Sequence, residues 1–273
     1  MDAILRAWDL EPTVLFGTAA LLAAYLGAIR MHVRKRAVAF VAGLLVMLVA
    51  LVSPVDRLAD LYLFSAHMLQ HMLLILLAAP LLVVGVPPEV YRAALRWRPA
   101  AALASAARRP GIAFTLATGT LALWHVPALY NAALGDEALH AVEHLTFLVT
   151  FVIFWWPILS PLPEHRLGTG AALAYLAAAA IANSLLGVIL TFAAPGLYPA
   201  YLAPHDALGI LPLLREEWGL TAEADQQLGG LLMWVGGGPA FLIPTLLVLA
   251  RWHRSPGPDL APADQAPAAT EAQ

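Results

Sequence analysis

Seven apolar stretches, at about residues 13–30, 37–53, 61–84, 111–131, 139–158, 170–194 and 228–251, dominate this sequence. Each holds about 17–25 residues, enough for an α-helix to cross the hydrocarbon core of a bilayer. The runs are continuous and rich in Leu and Ala rather than alternating. That predicts helices and not a β-barrel, because a spanning segment must satisfy its backbone internally. Only 12% of the 273 residues are charged, against about 25% in soluble domains. The expected fold class is therefore all-α: a polytopic membrane protein with seven transmembrane helices in a domain over residues 1–254. The Pro- and Ala-rich tail, 255–273, has no apolar period and is expected to be a disordered cytoplasmic segment.

The N-terminal MDAILRAWDLEP mixes Asp2, Asp9 and Glu11 with a single Arg6. It lacks the basic start of a secretory signal, so the first apolar run is expected to be retained as a helix. Basic residues collect in alternate connections: Arg30, Arg34, Lys35 and Arg36, then the Arg92–Arg109 segment, then Arg166, then Arg251 and Arg254. Only Arg6, Arg57 and Arg215 fall on the other side, with most of the acids. Since cytoplasmic loops are enriched in Lys and Arg, the N-terminus is expected outside and the C-terminus in the cytoplasm. The formal charge of −3 argues against a nucleic-acid partner. The absence of cysteine excludes disulfides, thiolate metal sites and Fe–S clusters, leaving His, Met and carboxylate as ligands.

Within that topology, five of the nine histidines fall inside apolar segments: His67, His71, His125, His140 and His144. At 1.5 Å per residue, His67 and His71 lie about 9 and 15 Å below the outer surface, His125 about 9 Å, and His144 about 7 Å below His140 at the rim. Three helices thus bring five imidazoles to one layer. Ionisable groups inside a membrane are costly and mark functional sites. The pairs His67/His71 and His140/His144 are four residues apart, which puts both rings of each pair on one helical face within reach of one ion. The spacing leaves open whether there is one site or two, such as His67/His71/His125 and His140/His144. It also leaves open that a histidine merely hydrogen-bonds across helices.

Several neighbours extend this set. Glu143 sits between the two histidines of its helix, as a partner that orients a ring, a proton carrier or an interhelical hydrogen bonder. Met68 and Met72 bracket the helix-three histidines, and Asp225 and Met233 approach from the last span; a thioether suits Cu(I), while Met is equally an ordinary gap filler. His32, His165 and His253 read as interfacial groups beside arginines, and His205 as a loop residue. The run Gly236-Gly237-Gly238-Pro239 predicts a helix distortion, as a packing kink or a hinge.

Five ordered segments carry a resemblance: His67-Met-Leu-Gln-His71-Met-Leu-Leu, Trp124-His125-Val-Pro-Ala-Leu-Tyr130-Asn131, His140-Ala-Val-Glu-His144, Phe154-Trp-Trp-Pro157 and Asp225-Gln-Gln-Leu-Gly-Gly-Leu-Leu-Met-Trp234. Together, over about residues 10–252, they resemble the seven-helix CtaG family of cytochrome c oxidase assembly factors. This family is unrelated to a single-span copper chaperone of the same name, whose chemistry uses cysteines. The Gly-Gly-Gly-Pro run departs from the Pro-Gly-Gly of many members. The resemblance implies a multi-pass protein of the bacterial cytoplasmic (inner) membrane that helps mature a haem–copper oxidase by delivering copper from the outer side. A haem–copper oxidase subunit and the lipid bilayer are the expected partners, while a copper donor protein and a homo-oligomer are left open. The five histidines carry over as ligands, with Asp225 and Met233 at lower weight. The competing expectation is a b-type haem electron carrier with axial histidines from different helices. A metal-dependent enzyme lacks an HExxH pattern here, and a permease lacks ligands near the cytoplasmic end.

Overall fold

The computed structural model describes residues 2–29 and 35–254. The expected tail, His32 and the basic residues Arg30 and Arg34 lie outside the described residues. The chain is 81% helical, with no strand among the described residues. In order, the helices are α1 (Asp2–Leu5), α2 (Pro12–Ala28), α3 (Lys35–Val52), α4 (Pro54–Leu61), α5 (Phe64–Met72), α6 (Ala79–Gly85) and α7 (Pro88–Ala94). They continue as α8 (Arg98–Ala107), α9 (Pro110–Trp124), α10 (Pro127–Leu134), α11 (Glu137–Leu159), α12 (Thr169–Phe192), α13 (Ala222–Leu231) and α14 (Gly237–Arg254).

Among the described residues, five helical stretches are long and apolar enough to cross a membrane: α3, the continuous Phe64–Gly85 rod of α5 and α6, α11, α12, and the Ala222–Arg254 rod of α13 and α14. The pair α9/α10 makes a sixth if counted as one broken span, and α2 is a shorter apolar helix of 17 residues. Large apolar side chains such as Leu45, Ile181, Leu185, Leu242 and Ile243 point outward from these rods. A protein that exposes so much apolar surface needs lipid around it.

One of the expected spans is not a simple rod. The stretch expected at 111–131 bends by 72° between α9 and α10. Pro127 is the cause: it disfavours helical backbone at the preceding residue, and Val126 is extended, with φ −64 and ψ 123. The arginine-rich connection after α6 holds the short helices α7 and α8, each with a proline in its first turn.

Both long rods contain a π-helical turn, at Leu73–Ala78 and Leu232–Gly236. A π turn disturbs the regular ladder and presents a carbonyl sideways, which must be satisfied inside a membrane. Trp155 Nε1 donates to Ile75 O at 2.8 Å, and Asn183 Nδ2 donates to Met233 O at 2.6 Å. The second turn ends at the triple-glycine run, so the distortion expected there takes this form. Alongside it α12 and α13 nearly touch: a Cβ on Gly187 would lie 2.7 Å from Trp234 N and 2.8 Å from Gly230 O. Small residues at a lipid-embedded crossing allow that approach.

The two ends of the bundle differ chemically. At one end arginines cap helix C-termini: Arg36 Nη1 donates to Val84 O, Arg166 Nε to Ser160 O and Arg251 Nη1 to Ile158 O. The other end gathers the start of α5, the α9/α10 break, the first turns of α11 and the 193–221 connection. That end carries His67, His71, His125, His140 and His144.

Candidate metal centre

His67 and His71 lie on successive turns of α5, so one face of that helix presents both rings, 4.3 Å apart between centroids and edge to face. The start of α5 is fixed from across the fold. Asp225 Oδ2 accepts from Phe64 N at 2.7 Å, and Oδ1 accepts from Ser65 N at 3.0 Å and Ser65 Oγ at 2.5 Å. These bonds satisfy amide groups that a helix start leaves free. On α11, Asp136 caps the start by accepting from Leu139 N, and His140 and His144 follow with centroids 4.2 Å apart. The two helices face each other. His67 is 5.2 Å from His140 and 6.2 Å from His144, and His71 is 5.5 Å from His144. Glu143, fully buried, turns inward from α11, with Oε1 3.5 Å from His71 Nε2.

These polar atoms are poorly satisfied. His67 Nε2, both ring nitrogens of His71, Nε2 of His140 and of His144, and both carboxylate oxygens of Glu143 are buried without a hydrogen-bond partner. Each such atom costs about 1–3 kcal/mol, and an orphan in a native core calls for a functional explanation. Ligand atoms of His67, His140 and His144 lie within 4.8 Å of one another, as do those of His67, His71 and Glu143. Imidazoles bound at about 2.0–2.1 Å to one tetrahedral ion stand about 3.3 Å apart. Modest side-chain rotation therefore closes either group around a metal. Nitrogen and carboxylate donors of this kind accept Cu, Zn or Fe.

Three tyrosines fix the top of the cluster. Tyr201 Oη donates to Ala59 O at 2.8 Å, since a carbonyl can only accept, and so accepts from Tyr130 Oη at 3.1 Å and from His67 Nδ1 at 3.2 Å. The hydrogen of His67 is thereby assigned to Nδ1, leaving the Nε2 lone pair free for an ion. Tyr198 Oη donates to His125 O at 2.9 Å and packs on Tyr130 at 4.0 Å. On the open side an irregular cavity of about 590 Å³ runs between α2, α4 and α11, and Asp9, Glu11, Asp60, Glu137, His140 and His144 line it. His140 Nδ1 is 3.6 Å from Asp60 Oδ1. Burial raises the Asp60 carboxyl to about 7, and burial followed by the nearby Asp60 and Asp9 charges raises Asp56 to about 8.

The sequence model of the cytochrome c oxidase caa3 assembly factor family (Caa3_CtaG) matches residues 14–255. The chain belongs to this family. No curated protein and no solved structure matches it.

In this Caa3_CtaG protein the sequence-predicted residues fall into three groups. His67, His71, His140, His144 and Glu143 converge. The observed groups are not His67/His71/His125 against His140/His144, because His67 reaches His140 and His144 on α11 as well as His71 on its own helix. His125 stands at the margin, 6.0 Å from His71, where the α9/α10 break leaves it. Its Nδ1 donates to Leu121 O at 2.7 Å and its Nε2 faces Met68 Sδ at 3.3 Å, so Met68 lies against His125. Asp225 acts as the cap on α5, and Met72 and Met233 pack in the apolar core. His205 is exposed, while Trp156 Nε1 donates to His165 at the arginine end.

Sequence reasoning missed Tyr198, Tyr201 and Asp60. Two closely spaced tyrosines in the run Leu197-Tyr-Pro-Ala-Tyr201 of the long connection before the last span were the available signal for the first two. Asp60 carried none, because its approach to His140 is purely tertiary.

Proposed function

We propose that this cytochrome c oxidase assembly factor works without catalysing a reaction, by holding a copper ion in the histidine cluster and passing it to a subunit of a haem–copper oxidase. The buried ring nitrogens left without partners around Glu143 carry the reading. Neutral imidazoles and one carboxylate form a donor set that binds copper yet can surrender it to a stronger site, as delivery requires. Met68 beside His125 adds a soft donor close by. In this reading the chain spans a bacterial cytoplasmic membrane seven times, counting α2 and the broken α9/α10 pair, with its histidine end outside and its arginine end in the cytoplasm. The ion arrives from a copper donor protein on the outer side, and the exposed apolar faces of the rods are available to the oxidase subunit or to a second copy.

The packing favours a small ion over a haem. The rings of α5 and α11 lie 4.2–6.2 Å apart, and Phe147 and Tyr130 pack at 4.6 Å from His71 and 5.0 Å from His67. A flat macrocycle held between two axial histidines needs a wider slot than these contacts leave.

The test is anaerobic loading of detergent-purified protein with Cu(I), followed by elemental analysis and by oxidase maturation in cells. Wild type should retain copper. His67→Gln should lose it and impair maturation, while His205→Ala in the exposed loop should do neither. A wild-type protein that stays copper-free, together with normal maturation in His67→Gln cells, would refute the proposal.

A further inference from the structure

We infer that the cluster holds one ion at a time in two alternative positions that share His67, and that an ion reaches the inner position by way of the outer one. The inference rests on the metal-binding reading above. The outer position is His67, His140 and His144; the inner one is His67, His71 and Glu143. Only His67 belongs to both. Its Nδ1 is bonded to Tyr201, so Nε2 is the single atom it can offer, and one imidazole lone pair coordinates one ion. Simultaneous occupancy would also set two cations side by side in a low-dielectric interior. Exchange between the positions needs only that the ion swap the α11 histidines for His71 and Glu143 while His67 keeps hold.

The two positions differ in access and charge, which sets the direction. His140 and His144 line the open cavity; His67, His71 and Glu143 do not, and all three are buried. The outer position is thus the first an incoming ion meets, and the wall of Asp9, Glu11, Asp60 and Glu137, in which Arg57 pairs only with Asp9, keeps an acidic excess that draws cations toward it. Its own donors are neutral rings. The inner position adds the Glu143 carboxylate, so a buried cation is better compensated there. An ion should enter through His140 and His144, rest on His71 and Glu143, and leave along the same path.

Copper(I) supplied anaerobically to the full-length protein, with a chromophoric chelator as competitor, tests this in four proteins. Wild type should bind one equivalent. Glu143→Gln and His71→Gln, each volume-conserving, should still bind one equivalent through the outer position but release it to the chelator at least tenfold faster. The double variant His140→Gln/His144→Gln should also bind one equivalent, loading at least tenfold more slowly. Two equivalents held together by wild type would overturn the shared-ligand inference while leaving the metal-binding reading intact. Release and loading rates unchanged in all variants would overturn it too. Copper bound by none of the proteins would refute the metal-binding reading and this inference with it.

Discussion

Removing the Tyr201 hydroxyl should weaken copper binding at both positions through one atom it never shares with the ion. Tyr201 Oη accepts the hydrogen of His67 Nδ1 at 3.2 Å and donates to Ala59 O at 2.8 Å. In Tyr201→Phe the His67 ring loses the partner that fixes its tautomer and orientation. Loss of such an outer partner costs about 10–100-fold in metal affinity, or about 1.4–2.7 kcal/mol. The same change removes one hydrogen bond to the buried Ala59 carbonyl, at about 0.5–1.5 kcal/mol of stability. For a chain of this size that lowers Tm by about 2–4 °C per kcal/mol. Tyr198→Phe is the matched control. It also removes a buried phenol hydroxyl, but that hydroxyl donates to the His125 carbonyl and bonds no ring nitrogen. Competitive Cu(I) titration and thermal melts of the three proteins separate the effects. Both variants should melt lower, and only Tyr201→Phe should bind more weakly. An affinity within twofold of wild type in Tyr201→Phe, or an equal loss in both, would refute the assignment of His67 Nε2 as the ligand atom.

Three further outcomes follow from the fold. Gly230→Ala sets a Cβ 2.5 Å from Thr191 N and 2.8 Å from Gly187 O, which should cost about 1–3 kcal/mol or more of stability. Gly238→Ala meets nothing within 4 Å and should be neutral or stabilising by about 0.5–1 kcal/mol in its helix; equal melts for the pair would contradict the close α12/α13 crossing. Asp225→Ala orphans two buried amides of α5, at about 1–3 kcal/mol each, so its melt should fall further than that of Thr221→Ala, an exposed cap worth about 1 kcal/mol. Burial, then the Asp60 and Asp9 charges, raise Asp56 from 3.8 to about 8, so the folded protein keeps a proton between about pH 4 and 8 that the unfolded chain releases. Stability should therefore fall as pH rises across that window, and Asp56→Asn should flatten the slope; a Tm profile of unchanged slope would contradict it.

The helical rods and the convergence of α5 with α11 were legible because both rest on local periodicity. Apolar runs longer than a bilayer is thick permit little but a spanning helix, and histidines four apart share a face in any helix. Glu143 was readable on the same grounds. His125 was not, because its place depends on where the helix breaks. Pro127 signals that break, but the apolar run continues through it and masks the bend. Asp225 shows a different limit. A carboxylate near the end of a span reads equally as a ligand or as a cap, and only the meeting of α13 with the start of α5, 160 residues earlier, decides between them. Tyr201 and Asp60 act through contacts that no spacing encodes.

The most direct measurement is an anomalous difference map, at the copper edge, of crystals of the copper-loaded protein. The account predicts a single peak per chain at coordinating distance from His67 Nε2, completed by His140 and His144 or by His71 and Glu143. A peak on the arginine-rich end, on the exposed His205, or no peak in protein shown to carry copper in solution would contradict it.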